Sequence, residues 1–294
     1  MTEAKRVLVA GATGNQGGAL SRELLARGHH VRALTRSPGG ERAATLREAG
    51  AEIVPGDLEQ PDSLAAAVAG VDAVFVVATP FEAGPDAETR HATNLIDAAV
   101  MARVPHVVYS SVASADRGTG VPHFESKHAV ERHLRASGAA FTIVAPAMFM
   151  DMLLAPWSLS GLRDGRIGSP VPADVPGQRV AVADIGACVA MVIEQPDRFA
   201  GERIEIAGDA STGDELAATL SRHAGREIRY LETPMEQAGG EDLEKMFLFL
   251  NEVGYQVDIA ALHDAVPEVA WHDLDAWAAG QDWTALLAPQ SNWA

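Results

Sequence analysis

Short apolar runs alternate with helical stretches along the first half of the chain. Each run is four or five residues long and rich in valine or isoleucine, which is typical of strands buried on both faces of a sheet. The predicted strands are 7–10, 30–34, 52–55, 73–77, 106–110 and 141–145. The predicted helices are 16–27, 40–49, 61–69, 86–102 and 124–137. Strands that alternate with helices predict an α/β fold with a doubly wound parallel sheet.

The pattern changes after Pro146, where several prolines punctuate a loop-rich stretch. A helix over 184–193 and a strand over 203–207 follow, and Thr212 and Glu215 have the spacing of a capping box before another helix. We therefore predict a nucleotide-binding domain over 1–150. Residues 151–294 should form a smaller α/β lobe that binds substrate or partner, with parts of the chain crossing between the two.

The first strand leads directly into a glycine-rich turn. Gly11, Gly14 and Gly17 follow residues 7–10, and a helix begins immediately after the turn. Such a turn brings backbone N–H groups and a helix N-terminus to the oxygens of a pyrophosphate. The spacing is G-x-x-G-x-x-G rather than the G-x-G-x-x-G of many dehydrogenases, so a plain glycine-rich turn without a ligand is the alternative.

Arg36 follows the second strand, about 20 residues beyond the glycine turn, where NAD-binding proteins carry an acid for the adenosine ribose. An arginine has only donors and can pair bidentately with a 2′-phosphate, which favours NADP(H) over NAD(H). A solvated loop arginine is the alternative. Asp57 follows the third strand, where it could accept from adenine or form an Asx turn. Small residues at Ala78 and Thr79, before Pro80, would let the backbone approach the cofactor, and an ordinary βα turn is the alternative.

The composition excludes several classes of function. The formal net charge of −17 and the pI of about 4.9 oppose direct binding to nucleic acid. A single cysteine, Cys188, rules out an internal disulfide and is expected to be a buried thiol. We find no signal peptide, no run of 18 apolar residues and no metal-ligand spacing of histidines, and expect a cytoplasmic protein without a metal site.

Several motifs together resemble the NmrA-like family of atypical short-chain dehydrogenases. They are residues 11–18 (GATGNQGG), 35–38 (TRSP), 56–57 (GD), 108–110 (VYS) and 123–127 (HFESK). The likeness covers most of the chain and is weakest after about residue 230. It implies a Rossmann fold, NADP(H) as cofactor and a small C-terminal lobe.

The resemblance also implies site residues. The pyrophosphate would be held by the turn residues Gly11, Ala12, Thr13, Gly14, Asn15, Gln16 and Gly17. The 2′-phosphate would lie at Arg36 and Ser37, within residues 36–40. The adenine would lie between Asp57 and Leu58. The rest of the cofactor would be lined by Ala78, Thr79, Pro80, Arg90 and Lys127. Met148 and Phe149 would close over the nicotinamide, although ordinary core packing is an equal alternative for them.

Short-chain dehydrogenases typically use Tyr-x-x-x-Lys on one helix face, where the lysine charge lowers the pKa of the tyrosine. Here Lys127 is in place, but position 123 is histidine and Tyr109 lies in a strand. His123 could donate a proton. A nearby lysine charge would favour its neutral form, and a loop residue that caps the helix is the alternative. Ser111 follows the fifth strand, where such enzymes place a substrate-binding hydroxyl.

Three functions remain open at this point. The first is an NADPH-dependent reductase of a small acceptor such as a quinone or carbonyl compound. The second is a redox sensor that binds NADP(H) without turnover and regulates a protein partner. The third is an enzyme similar to sugar-nucleotide epimerases or isoflavone reductases, which the missing tyrosine disfavours. We rank the reductase slightly ahead of the sensor. A homodimer is possible.

Overall fold

The computed structural model describes residues 3–288. Its strands are β1 (Arg6–Val9), β2 (His30–Thr35), β3 (Glu52–Pro55), β4 (Ala73–Val76), β5 (His106–Ser110), β6 (Phe141–Pro146), β7 (Met148–Phe149), β8 (Arg166–Ser169), β9 (Gly177–Val180), β10 (Arg203–Ile206), β11 (Asp209–Ser211) and β12 (Arg229–Glu232). Its helices are α1 (Asn15–Ala26), α2 (Glu41–Glu48), α3 (Ala65–Val68), α4 (Pro85–Met101), α5 (Pro122–Ala136), α6 (Pro156–Arg163), α7 (Val182–Glu194), α8 (Gly213–Ala224), α9 (Glu241–Glu252), α10 (Ile259–Ala265), α11 (Leu274–Ala279) and α12 (Trp283–Leu286).

The chain forms two compact units. The first comprises the chain up to Pro146 together with Val182–Ile206, and the second comprises Ala147–Ala181 and the chain from Ala207 onward. Helix α7 and strand β10 therefore belong to the first unit although they follow residue 150. The substrate- or partner-binding role of residues 151–294 stays a prediction.

The first unit is built on a parallel sheet with strand order β10-β6-β5-β4-β1-β2-β3. This confirms the predicted Rossmann architecture. The order reverses at β1, whose neighbours are β2 on one side and β4 on the other. In open sheets of this kind, ligands bind beyond the carboxyl ends of the strands at that reversal. The turns after β1, β2 and β4 converge there.

Buried side chains of the strands and of the helices that cover them form the core of this unit. Strand β4 is fully buried, as the apolar run predicted. Helices α1 and α7 pack so closely that a Cβ on Gly186 would lie 2.9 Å from the carbonyl carbon of Ala19. Cys188 is also buried on α7, and burial, with a smaller contribution from Asp184, raises the pKa of its thiol to about 12. The expectation of a buried thiol is confirmed.

Some predicted boundaries were wrong. The helix predicted over 61–69 is a 3-10 turn at Pro61–Ser63 followed by the short α3. The hydroxyl of Ser63 donates to the carbonyl of Gln60, and such side-chain bonds compete with a regular helix. Helices α4 and α5 begin at Pro85 and Pro122, earlier than predicted, because proline is well suited to a first helical position.

The second unit has its own core, in which α8 packs with α11 and α12. Leu216 and Leu220 on α8 are buried with Trp277 and Trp283, whose rings meet edge to face with centroids 6.2 Å apart. Helix α8 begins with the predicted capping box, since Thr212 accepts from the backbone of Glu215 and the Glu215 carboxylate accepts from the backbone of Thr212. Within residues 3–288, no helix has the length and apolar character needed to cross a membrane.

Candidate functional site

The glycine turn after β1 is shaped by close backbone packing. Gly11 has φ of +59°, a left-handed conformation that favours glycine. A Cβ on Gly17 would lie 2.4 Å from the Gly11 carbonyl oxygen, and one on Gly14 would lie 3.2 Å from the same oxygen. The Gly14 N–H donates to this oxygen at 2.8 Å. The glycines therefore let α1 start directly against the end of β1.

The N-terminus of α1 is available to an anion. Its first turn carries no acidic residue, and within the described chain no side chain caps it. Ala12 is buried, whereas Thr13 is half-buried and Asn15 is exposed. The Ser110 hydroxyl donates to Gln16 Oε1 at 2.6 Å, which ties the end of β5 to α1 and leaves the Gln16 amide nitrogen to donate elsewhere.

Arg36 and Ser37 lie exposed beyond β2, beside the glycine turn. Arg36 Nη2 is 2.8 Å from Glu82 Oε2, which lies in the loop after β4. Arg42 on α2 donates from Nη1 to the Thr13 carbonyl at 3.2 Å. The sequence reasoning missed both Glu82 and Arg42, and Arg42 could have been suspected because it lies two residues beyond the predicted phosphate loop.

The loop after β3 holds Asp57 and Leu58 in a fixed conformation. Asp57 Oδ1 accepts from the Glu59 N–H at 3.0 Å, which is the Asx turn weighed as an alternative. The Leu58 carbonyl accepts from the Asn94 side chain at 2.8 Å. Arg90 donates to both carboxylate oxygens of Glu59, at 3.0 and 3.1 Å. Hydrogen bonds from Arg90, and then from His91, lower the pKa of Glu59. The guanidinium of Arg90 is thus already paired.

Lys127 lies on α5 and reaches the carboxyl end of β4. Its Nζ is 2.7 Å from Glu88 Oε1 and 3.4 Å from the Ala78 carbonyl oxygen. Glu88 on α4 is fully buried, and its other oxygen accepts from the Ser126 hydroxyl at 2.5 Å. Thr79 is exposed beside this group. The sequence reasoning missed Glu88, because nothing local distinguishes it from the other acids of the first turn of α4.

His123 is the second residue of α5 and is buried, so its interpretation as a loop residue was wrong. Its ring lies 4.8 Å from that of Phe124, edge to face, and 6.3 Å from that of Phe81. Phe81 follows Pro80 in the loop after β4, and 72% of its surface is exposed. An exposed aromatic ring therefore lies beside a buried imidazole near the carboxyl ends of β4 and β5.

The hydroxyl of Ser111 is committed to a buried ionic network. It donates to Glu131 Oε1 at 2.5 Å, and Arg203 Nε lies 3.1 Å from both oxygens of that carboxylate. Burial opposes the charge on Arg203, but the carboxylates of Glu131 and Glu205 outweigh it and raise the pKa of Arg203. Because its proton points to Glu131, Ser111 can only accept a hydrogen bond from another group.

Tyr109 is not a substitute for the missing tyrosine of the Tyr-x-x-x-Lys pattern. It is completely buried in β5, and its hydroxyl has no hydrogen-bond partner among the described residues. Burial, together with the charges of Glu88 and Glu131, raises the pKa of the phenol well above its ordinary value. The group stays protonated at any physiological pH.

Met148 and Phe149 form β7 in the second unit, where they pair with β9 and are half-buried. Their predicted closure over the nicotinamide stays a prediction. Among residues 3–288, no three His, Cys, Asp or Glu side chains are grouped as a metal site requires.

The parallel sheet, the glycine turn at the reversal of strand order and the uncapped α1 define a Rossmann-type fold with a candidate dinucleotide site. The model of the NmrA-like family matches residues 3–278, and the chain belongs to this family. The resemblance inferred from the motifs is confirmed.

The chain is similar to one reductase in sequence and to two solved structures in fold. The NAD(P)H azoreductase of Xenophilus azovorans is 33% identical over 79% of this chain and 78% of its own. The triphenylmethane reductase of Citrobacter sp., solved with NADP(H), has a TM-score of 0.79 and 21% identity, covering 93% of this chain and 98% of its own. NmrA, a negative transcriptional regulator solved with NADP, has a TM-score of 0.75 and 24% identity, and the match covers 96% of this chain and 99% of its own.

Proposed function

We propose that this protein binds NADP(H) and is an NADPH-dependent reductase of a small acceptor such as a quinone or carbonyl compound. The observation that carries the proposal is the glycine turn, closed by backbone contacts at Gly17 and followed by the uncapped start of α1. The azoreductase relative, which extends over most of the chain, supports a reductase.

The residues present fit this cofactor. Residues Gly11 to Gln16 would surround a pyrophosphate, with the Gly14 N–H held by the Gly11 carbonyl. The start of α1 offers N–H groups to it, because no capping side chain of the described chain competes there. Arg36 and Ser37 would hold the 2′-phosphate. Among residues 3–288, Arg36 is paired only with the exposed Glu82, and an exposed pair of this kind is weak enough for a phosphate to displace it.

The remaining assignments follow the order of the strands. Asp57 and Leu58 would flank the adenine, and Ala78, Thr79 and Pro80 would lie along the cofactor as the loop after β4. Lys127 would donate to a ribose hydroxyl from the ammonium that it holds near the Ala78 carbonyl. Arg90, which pairs with Glu59, would line the cofactor only through its aliphatic stem or after leaving Glu59.

NADPH supplies the hydride when it is bound. The protein would orient the acceptor, exclude water and supply a proton. The exposed ring of Phe81 can lie against a flat acceptor, and His123 beside it can donate a proton. Ser111 can accept from a hydroxyl or amide of the bound molecules but cannot donate, since its proton is held by Glu131. A quinone acceptor needs little else, because solvent can deliver protons to the product.

A titration with NADPH, NADP, NADH and NAD, followed by an acceptor panel under the same conditions, tests the proposal. We expect tighter binding of the phosphorylated dinucleotides and NADPH oxidation with quinones or carbonyl compounds. Arg36→Asp should lower the affinity for NADPH by roughly tenfold or more and leave the affinity for NADH nearly unchanged, since it removes a charge-assisted contact to the 2′-phosphate. Equal loss for both cofactors would show that Arg36 does not hold that phosphate.

A redox sensor that regulates a protein partner is the second candidate. The observation that favours it is the replacement of the usual tyrosine by His123, which is buried against Phe124. NADPH binding without oxidation by any acceptor in the panel would support this candidate. It would then require a partner whose affinity differs between the NADP-bound and NADPH-bound forms.

A further inference from the structure

Lys127 is held by a buried acidic residue on the neighbouring helix. Glu88 on α4 is completely buried, and its Oε1 lies 2.7 Å from Lys127 Nζ. Its Oε2 accepts from the hydroxyl of Ser126, which also lies 3.1 Å from the carbonyl oxygen of His123. Both oxygens of the carboxylate are therefore used, and both bonds lead to α5.

We infer that Glu88 is a positioning residue that fixes the Lys127 ammonium at the carboxyl end of β4 for a ribose hydroxyl of the bound dinucleotide. This inference rests on the cofactor site of the proposed function but not on the identity of the acceptor.

The pair is costly as a purely structural device. Burying a carboxylate and an ammonium consumes most of the Coulomb energy that they gain, and a buried ion pair can often be replaced by apolar residues without loss of stability. Glu88 receives some compensation from its place in the first turn of α4, where the helix dipole favours a negative charge. That compensation explains how the charge is tolerated but not why a lysine is held there.

The geometry leaves Lys127 with a defined spare donor. An ammonium has three N–H groups. One donates to Glu88, and a second points to the Ala78 carbonyl at 3.4 Å, a long contact. A third remains for a ligand at the carboxyl edge of the sheet. Lys127 is only 12% exposed at its side chain, so the flexible stem has little freedom once the carboxylate is engaged. A fixed ammonium loses less entropy when it binds than a mobile one does.

The test is a double-mutant cycle on NADPH affinity, with Glu88→Gln, Lys127→Met and the double variant. Glutamine keeps the size of Glu88 but removes its charge and one of its two acceptor oxygens, so the ammonium loses its ion pair. We expect Glu88→Gln and Lys127→Met each to lower the affinity for NADPH by roughly tenfold, which corresponds to one charge-assisted hydrogen bond. In the Lys127→Met background, Glu88→Gln should have no further effect, because Glu88 acts through the lysine.

Asp86→Asn is the matched control, since it removes an exposed acid from the same turn of α4 and should leave NADPH affinity unchanged. Unfolding by urea reports the stability of each variant separately. Wild-type NADPH affinity in Glu88→Gln, even with lowered stability, would overturn the inference, as would wild-type affinity in Lys127→Met or additive losses in the double variant. NADPH binding without turnover would refute the reductase alone, because the cycle is measured by binding.

Discussion

Gly17 and Gly18 are adjacent helical glycines that should respond in opposite ways to the same added methyl group. A Cβ on Gly17 would lie 2.4 Å from the carbonyl oxygen of Gly11, 2.5 Å from its carbonyl carbon and 2.7 Å from the carbonyl oxygen of Ala10. These are backbone atoms, which cannot rotate away. A Cβ on Gly18 would meet the Ala12 carbonyl at 3.3 Å and the flexible end of Arg22 at 3.5 Å.

The expected difference follows from these contacts. Either alanine gains about 0.5–1 kcal/mol from lower backbone entropy in the unfolded chain. At position 18 this gain should largely survive, because only small adjustments are needed. At position 17, the first turn of α1 must move away from the glycine turn by close to 1 Å, and overpacking of this kind costs about 1–3 kcal/mol. We therefore expect Gly17→Ala to be less stable than Gly18→Ala by about 2 kcal/mol.

The assay must report on the first unit. The described tryptophans, at 157, 271, 277 and 283, all lie in the second unit, so their fluorescence reports mainly there. Far-ultraviolet circular dichroism covers both units, so urea titrations followed in this way include the first unit and give the free energy of unfolding. In a thermal melt, a difference of 2 kcal/mol corresponds to a shift in Tm of about 4–8 °C. NADPH affinity should fall in Gly17→Ala and stay near wild type in Gly18→Ala. A Gly17→Ala variant as stable as Gly18→Ala would refute the close-packing argument.

Three further predictions concern stability and reactivity. Arg103 has φ of +55° just after α4, and its N–H and that of Val104 donate back to the last turn of the helix, as those of Gly28 and His29 do after α1. Glycine adopts this left-handed conformation without strain, so Arg103→Gly should raise the free energy of unfolding by about 0.5–1 kcal/mol in urea titrations. An unchanged or lower free energy would contradict the strain argument. Burial, with a smaller effect of Lys5, lowers the pKa of His106 to about 4, below the ordinary value of about 6.5 that the unfolded chain keeps. The unfolded state therefore binds more protons between those values, and stability should fall as the pH drops from 6.5 to 4; His106→Gln should show a shallower fall, and identical profiles would refute this. Cys188, with a thiol pKa of about 12, should resist alkylation at pH 8 until the protein unfolds, whereas rapid labelling of the native protein would contradict its burial.

The sequence could predict the elements that local patterns determine. The strands at 52–55 and 106–110 were predicted to the residue, because each apolar run is bounded by turn residues. Strand β5 is buried on both faces as predicted, whereas β3 lies at the edge of the sheet and only its central residues are half-buried. The glycine turn could also be predicted, since glycine is favoured by the left-handed conformation at Gly11 and is required by the close backbone contact at Gly17. Helix starts were less accurate where proline opens the helix, as at Pro122.

The side-chain partners of the candidate site could not be predicted in the same way. Glu88 and Lys127 are 39 residues apart, and Arg36 and Glu82 are 46 apart, so each pair depends on how two strands are ordered in the sheet. No local pattern marks one acid of the α4 first turn as buried and the next as exposed. Such contacts arise from topology, which a strand–helix alternation leaves only partly determined.

These partners change the chemistry expected at position 123. From the sequence, a lysine four residues after His123 suggests an uncompensated positive charge that disfavours a protonated imidazole. In the structure, the carboxylate of Glu88 balances that charge at 2.7 Å. The lysine charge is therefore paired and not isolated, and the access of an acceptor to His123 becomes the deciding factor, because the residue is buried against Phe81 and Phe124. His123→Ala separates the two possibilities. Loss of turnover with NADPH affinity intact would place the imidazole in the reaction, whereas full turnover would leave the proton to solvent.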